Sequence, residues 1–251
     1  MTTRALDPEQ LAALSRWNTP SVYNGWEQIT TADFARDAVN REPLVDFMPD
    51  HLPMVGWAVT VTIEPSNPAH VQQQPDAWSR YRRYIASQPG PKVVVVQDLD
   101  GAATHGAFWG EVNTGIHRAL GCVGTITDGA IRDVAEVRSG GFRCLARRLC
   151  VGHAYSCPVR WGEAVEVFGT RIEPGQLIHA DQHGFLAVPH GDEAGLLEAT
   201  RFMDDNECRS LIPASRDVIG LNALQICDRI DAAGRAFVAA SAERFGRTGE
   251  W

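Results

Sequence analysis

Four consecutive valines, in Lys92-Val93-Val94-Val95-Val96-Gln97, constrain the fold of this chain more than any other stretch. β-Branched residues favour the pleated strand, and a run with no polar position between them is buried only if both faces of the strand are covered. Such a strand lies inside a sheet with layers on either side. The flanking residues supply those layers. Trp78 to Ser87 predicts a helix that Gln88-Pro89-Gly90-Pro91 stops, and Val55 to Ile63 predicts an earlier strand ended by Glu64-Pro65, with a loop from Pro65 to Pro75. A turn at Asp98-Leu99-Asp100-Gly101 follows the valines, and Ala102 to Leu120 then carries small and apolar residues in a helical rhythm. Cys122 to Thr127 predicts a short strand ending in Asp128-Gly129. A helix around Arg132 to Arg138 then leads through Gly140-Gly141 into a strand over Phe142 to Ala146. This β-α-β order makes the middle of the chain an α/β unit.

Helices are predicted at both ends. Asp7-Pro8-Glu9-Gln10 is a capping box with proline at the first helical position, so a helix carries Leu11 and Leu14. Thr19-Pro20 is read as its breaker, and Val22 to Ile29 as a second short helix with Trp26 and Ile29 on one side; Thr31 to Pro53 shows no regular period. Short strands are predicted at Val165 to Phe168, Leu177 to Ala180 and Phe185 to Val188. From Glu193 onward the pattern returns to helix, notably over Ala223 to Phe245. A length of 251 residues suits one domain. The expectation is a single domain over 1–251, with an N-terminal helical extension (1–50) and a C-terminal helical tail (193–251) packed on the core.

The charge narrows the partners. With 31 acidic against 23 basic residues the formal net charge is −8, a field that repels phosphate backbones and anionic lipid, so neither nucleic acid nor membrane is expected. Arg80, Arg82 and Arg83 form a local basic run, read as a solvated helix face. The first residues hold no apolar stretch of signal-peptide length and no later stretch reaches the roughly 18 apolar residues of a membrane span, which predicts a cytoplasmic location. Six cysteines without a C-x-x-C pair read as buried thiols rather than a zinc site or disulfide framework.

The chemistry concentrates at Asp128-Gly129-Ala130-Ile131-Arg132-Asp133, where a strand delivers an Arg-Asp pair to the start of a helix, the place at which ligands bind in α/β folds. Arg132 offers a planar fork for a carboxylate or keto oxygen, and Asp133 is a hard oxygen ligand suited to Mg²⁺ or Mn²⁺. If the segment is helical, Asp133 and Glu136 share a face, and Glu136 can hold a metal-bound water.

Gly110-Glu111, twenty residues, Arg132-Asp133, two residues, then Glu136 resembles the motif of the 4-hydroxy-4-methyl-2-oxoglutarate aldolases and their relatives, the regulator of ribonuclease activity A proteins. Gly121-Cys122-Val123-Gly124 and Thr127-Asp128-Gly129 also look like that family, and the resemblance runs from about Leu11 to Pro189. It implies an α/β fold, a layered α/β/β/α sandwich resembling the swivelling phosphohistidine domain with N- and C-terminal helices added, assembled as a homotrimer or dimer of trimers. It also implies a class II pyruvate aldolase using Mg²⁺ or Mn²⁺ on a small 2-oxo acid, with oxaloacetate decarboxylation through the same pyruvate enolate. Carried over by position, Gly110, Glu111, Val112 and Asn113 would cradle the substrate carboxylate through backbone N–H groups. Arg132 would bind substrate and stabilise the enolate oxygen, Glu111 with a water would move protons, Asp133 would ligate the metal, and Glu136 would act through water. Asn24-Gly25 departs from the family's usual Asp-Ala, and the tail from Arg201 to Trp251 is outside the motif. Glu207 is a candidate for a carboxylate entering a neighbouring subunit's site, by position only.

Blander readings stand beside these. An adjacent Arg-Asp is commonly a surface ion pair capping a helix, and Glu136 is equally placed as an i,i+4 partner of Arg132. His153, His179, Asp181 and His183 read as turn and interface residues rather than a metal site. A non-catalytic regulator acting through a protein surface is the alternative to the enzyme.

Overall fold

The computed structural model describes residues 6–33 and 38–247; the outermost residues of the expected extension and tail lie outside them. The elements, in chain order, are α1 (Pro8–Leu14), α2 (Thr19–Ile29), β1 (Val45–Asp46), β2 (Met54–Ile63), α3 (Ala69–Gln73), α4 (Ala77–Ser87), β3 (Lys92–Asp98), β4 (Ala107–Trp109), α5 (Glu111–Ala119) and β5 (Cys122–Ile131). There follow α6 (Val134–Ser139), β6 (Arg143–Leu149), β7 (Arg160–Trp161), β8 (Val165–Val167), β9 (Thr170–Ile172), β10 (Leu177–Asp181), β11 (Gly184–Val188), α7 (Glu193–Arg209), α8 (Leu211–Arg216) and α9 (Ala223–Phe245). The fold is mixed α/β. Among the described residues one sheet runs β1-β6-β5-β3-β2-β10-β11, with β4 beside β5 and β7 beside β2. Its centre, β2, β3, β5 and β6, is parallel.

The valine run behaves as its composition requires. Val94 and Val96 pack with Tyr81 and Ile85 of α4 on one face, while Val93 and Val95 pack with Val165, Val167 and Ile172 of the β8–β9 ribbon on the other. All four are fully buried, each side chain worth about 1.5–3 kcal/mol of transfer free energy. A third cluster joins α1, α2 and α7 to β10 and β11 through Leu14, Trp26, Leu177, Leu186 and Leu196. Thr19 pins this layer: its N–H donates to Asp181 Oδ2 at 2.7 Å and its hydroxyl lies 3.0 Å from His179 Nδ1. His179 is wholly buried, which pushes its pKa down to about 4, and it serves the interface role expected of it.

Several boundaries differ from expectation, each for a tertiary reason. Pro20 does not break a helix; it sits in the first turn of α2, where its missing N–H costs nothing, behind the Asn18 cap. Residues 102–120 are not one helix. A 3₁₀ turn (Gly101–Ala103) and β4 precede α5, because Ala107-Phe108-Trp109 is buried and pairs with Ala130 and Ile131. Gly106 permits this, since a Cβ there would lie 2.4 Å from the His153 carbonyl oxygen. Strand β5 does not end at Asp128-Gly129 but runs to Ile131, its register shifting between Thr127 and Ala130. Asp128 accepts the Asp98 N–H at 2.7 Å, and burial pushes the two carboxyls up, to about 6 and about 7 respectively. The loop after Pro65 contains the short α3, and the irregular 31–53 stretch contains β1. Cys122, Cys144 and Cys157 are buried, whereas Cys208 and Cys227 are exposed on α7 and α9; all six are free thiols.

Candidate active site

Strand pairing brings the two halves of the motif together. β4 lies parallel to the end of β5, and the Arg132 N–H donates to the Trp109 carbonyl at 2.9 Å. Gly110 and Arg132 therefore leave the sheet side by side. Gly110 is the N-cap of α5 and carries no capping side chain, so the first-turn N–H groups of the helix need other acceptors. Asp133 supplies one: its Oδ2 accepts the Glu111 N–H at 3.1 Å. Carboxylate at a helix N-terminus is also favoured by the helix dipole.

Asp133 adopts a left-handed backbone conformation (φ 56°, ψ 45°) and is the N-cap of α6, which begins at Val134. Asp tolerates this region better than most residues, though still at some cost, and such positions gather at functional sites. The face-sharing argument for Asp133 and Glu136 therefore loses its premise, because Asp133 is not a helical residue. Glu136 instead lines the wide groove on the other side of Glu111, with Thr114, Arg118 and Phe142. Arg132 Nε lies 3.6 Å from Asp133 Oδ2 and both side chains are 38% exposed, so the pair contributes little to stability.

A cavity of about 260 Å³ adjoins these groups, and Gly110, Glu111, Val112, Asn113, Arg132 and Asp133 all line it. Its wall from outside the motif comes from Trp78 and Arg82 of α4, Phe108, and His153 and Ser156 of the β6–β7 connection. None of these was marked by the motif. Arg82 carried a signal, since it stands four residues after Trp78 and next to the buried Tyr81, at the edge of the apolar face of α4. Ser156 carried none. Beneath the cavity, burial pushes His117 down to about 4. Its Nδ1 lies 2.7 Å from the Asn113 carbonyl oxygen and its Nε2 3.3 Å from the Tyr81 hydroxyl, an arrangement that positions α5 and leaves no free base. Glu207, on α7, accepts a hydrogen bond from Asn24 of α2.

Residues 24–187 match the RraA-like family, described as Aldolase/RraA. The chain belongs to the RraA-like family. A relative from Halalkalibacterium halodurans, provisionally named a 4-hydroxy-4-methyl-2-oxoglutarate aldolase, is 29% identical over 124 residues, 49% of this chain and 59% of that protein. Protein DlpA of Legionella pneumophila subsp. pneumophila is 28% identical over 141 residues, 55% of this chain and 22% of that protein. The matched stretch thus spans less than two thirds of either relative. Among solved structures, an uncharacterized protein from Pseudomonas syringae pv. tomato superposes with a TM-score of 0.69 at 20% identity, covering 91% of this chain and 97% of that one. RraAS2 of Streptomyces coelicolor, titled an unusual member of the RNase ES inhibitor RraA protein family, gives 0.62 at 21% identity over 82% of this chain and 96% of its own. These structural likenesses show the fold. The family's names span aldolases and a ribonuclease inhibitor, and among the described residues no helix of this member is long and apolar enough to cross a membrane.

Gly110 tests how tightly this RraA-like site is built. Its backbone is extended, so its need for glycine comes from proximity: a Cβ would lie 2.6 Å from Asp133 Oδ2 and 3.1 Å from Arg132 Nε. Gly110→Ala is expected to lower stability by about 1–3 kcal/mol through overpacking. Denaturant titration checks this; a variant as stable as the parent would show that Asp133 has room to move without consequence.

Proposed function

We propose that this RraA-like chain is a divalent-metal-dependent class II pyruvate aldolase. Its substrate is a 4-hydroxy-2-oxo acid of the 4-carboxy-4-hydroxy-2-oxoadipate or 4-hydroxy-4-methyl-2-oxoglutarate type, cleaved through a pyruvate enolate, and oxaloacetate decarboxylation accompanies it. One observation carries the reading: Arg132, Asp133 and the first turn of α5 meet at a single cavity. The Val112 and Asn113 N–H groups, in a helical turn with no intrahelical acceptors, suit the substrate carboxylate. The Glu111 N–H is already given to Asp133. Arg132, which lines the cavity, is suited to meet the keto oxygen and to stabilise the charge that grows there as the carbon–carbon bond breaks. Glu111, exposed at the rim, is suited to moving a proton through water.

Among the described residues no three His, Cys, Asp or Glu side chains gather to hold an ion, and Asp133 is the proposed direct ligand. Mg²⁺ and Mn²⁺ fit such a site, because Mg²⁺ keeps several waters and is commonly held by one or two carboxylates together with substrate oxygens. Bound at Asp133, the cation would supply Lewis acidity to the 2-oxo acid. Glu136, in the adjoining groove, remains the proposed holder of a metal-bound water. Val151 and Leu149, 95% and 53% exposed, flank Arg132 and favour assembly into a trimer or dimer of trimers across this edge. A cytoplasmic location, one domain over 1–251 and the layered phosphohistidine-like sandwich complete the proposal.

Pyruvate release from oxaloacetate and from 4-hydroxy-4-methyl-2-oxoglutarate tests it. The expected result is release that EDTA abolishes and Mg²⁺ or Mn²⁺ restores. Release equal to the protein-free background would reject the enzyme in favour of a binding protein of the ribonuclease-regulator kind.

A further inference from the structure

Two cations of the α4 basic run stack on tryptophan, but Arg80, over Trp161, also pairs with Asp76, whereas Arg82 lines the cavity. Its guanidinium carbon lies 5.3 Å from the centre of the Trp78 ring, which is itself stacked on Phe108 at 5.2 Å. The Nε of Arg82 is buried without a hydrogen-bond partner, and among the described residues no ion pair involves this side chain, unlike Arg80 with Asp76. A cation held partly out of water with no anion is unfavourable. Two more residues lining the same cavity repeat the pattern, since Trp109 Nε1 and Ser156 Oγ are also buried and unpartnered. All three groups are donors. Buried donors are nearly always satisfied in folded proteins, so three around one cavity point to an acceptor that belongs there.

We propose that Arg82, with Ser156 and the Trp109 indole, forms a second anion subsite that takes the distal carboxylate of a dicarboxylic 2-oxo acid. Arg132 and the first turn of α5 hold its 2-oxo end. The identity of that first end rests on the aldolase reading; the second subsite rests on its own donors. A guanidinium on an aromatic shelf suits a planar carboxylate, which it can meet with two parallel hydrogen bonds. The cavity, about 260 Å³, is of a size to take a small acid. The chemical consequence is a preference. A cation that stabilises the distal carboxylate opposes its departure as carbon dioxide and favours substrates in which that carboxylate leaves intact on the aldol fragment.

Calorimetric titration of the full chain, in Mg²⁺, with two probes that the reaction does not cleave tests the subsite: 2-oxoglutarate with two carboxylates and 2-oxobutyrate with one. The parent is expected to bind 2-oxoglutarate roughly tenfold or more tightly than 2-oxobutyrate, the worth of a charged hydrogen-bonded contact. In Arg82→Gln the ratio of the two affinities should fall to about one, and Arg82→Lys, which keeps charge and loses the fork, should lie between. Ser156→Ala leaves α4 untouched and should lower the ratio a few-fold, which decides the matter even if the Arg82 variants fold poorly. No preference in the parent, or an unchanged ratio in Arg82→Gln and Ser156→Ala, would overturn the proposal. A ratio that behaves as expected in a protein that releases no pyruvate would sink the aldolase reading and leave the subsite standing.

Discussion

On the proposed aldolase reading, Arg132→Ala is expected to lower kcat by on the order of 10²–10³ while leaving the fold intact, the loss typical of a donor aimed at developing negative charge. The fold should survive because Arg132 contributes little to it. Its side chain is 38% exposed, its contact with Asp133 is 3.6 Å, and the backbone N–H that fixes its place donates to Trp109 whatever the side chain. The effect on turnover should exceed the effect on binding, since a keto oxygen carries only partial charge before the bond breaks and most of a unit charge afterwards. Arg132→Lys retains a cation without the planar fork and should recover part of the rate. Steady-state kinetics on both variants separate the possibilities. A raised KM with unchanged kcat in Arg132→Ala would make Arg132 a uniform binding contact and would remove it from the chemical step.

What the sequence revealed depended on whether the cause was local. The valines of β3 and the capping residues Asp7 and Gln10 act within a few positions, and each element they predict is present. The bounds of α9 were legible for the same reason, with an Asn222 cap at one end and Gly246 in a left-handed conformation at the other. Features imposed from a distance were not. Strand β4 exists because β5 lies beside it, and nothing in Ala107-Phe108-Trp109 separates a strand from a helical apolar run. The hairpin between β8 and β9 turns at Phe168-Gly169, with φ 50° and 74°, and phenylalanine is no turn residue; it is held there because its ring is buried and its carbonyl accepts the N–H groups of Arg41 and Glu42. Asn24-Gly25, a departure from the family pattern, and the C-terminal helices explain one another. A Cβ at Gly25 would lie 2.5 Å from the Thr200 backbone nitrogen of α7, and Asn24 donates to Glu207. In the site, the strand-to-helix junction and the spacing to Glu111 and Glu136 marked Arg132 and Asp133 at the end of β5. The wall formed by Arg82 and Ser156 arises from chain segments that meet only in three dimensions.

Asp133→Asn should separate the metal-binding role proposed for this residue from its structural one. Structurally the side chain accepts the Glu111 N–H and the backbone is left-handed, and asparagine can meet both demands, with an amide oxygen as acceptor and a known tolerance of that conformation. The variant is therefore expected to melt close to the parent. Asp133→Ala, by contrast, loses the acceptor and is a poor occupant of positive φ, so it should be less stable by about 1–3 kcal/mol. Metal binding should distinguish them differently. An amide carries no charge to offset a divalent cation, and no third carboxylate, His or Cys gathers with Asp133 among the described residues to compensate. Both variants should lose more affinity for Mn²⁺ than the roughly 10–100-fold typical of removing a residue that merely supports a ligand. Titration of the parent and the two variants with Mn²⁺, followed by the paramagnetic signal of the free ion, measures this independently of turnover. If Asp133→Asn bound Mn²⁺ as the parent does, Asp133 would be a helix cap and nothing more, and the proposed metal would have lost its ligand at this site.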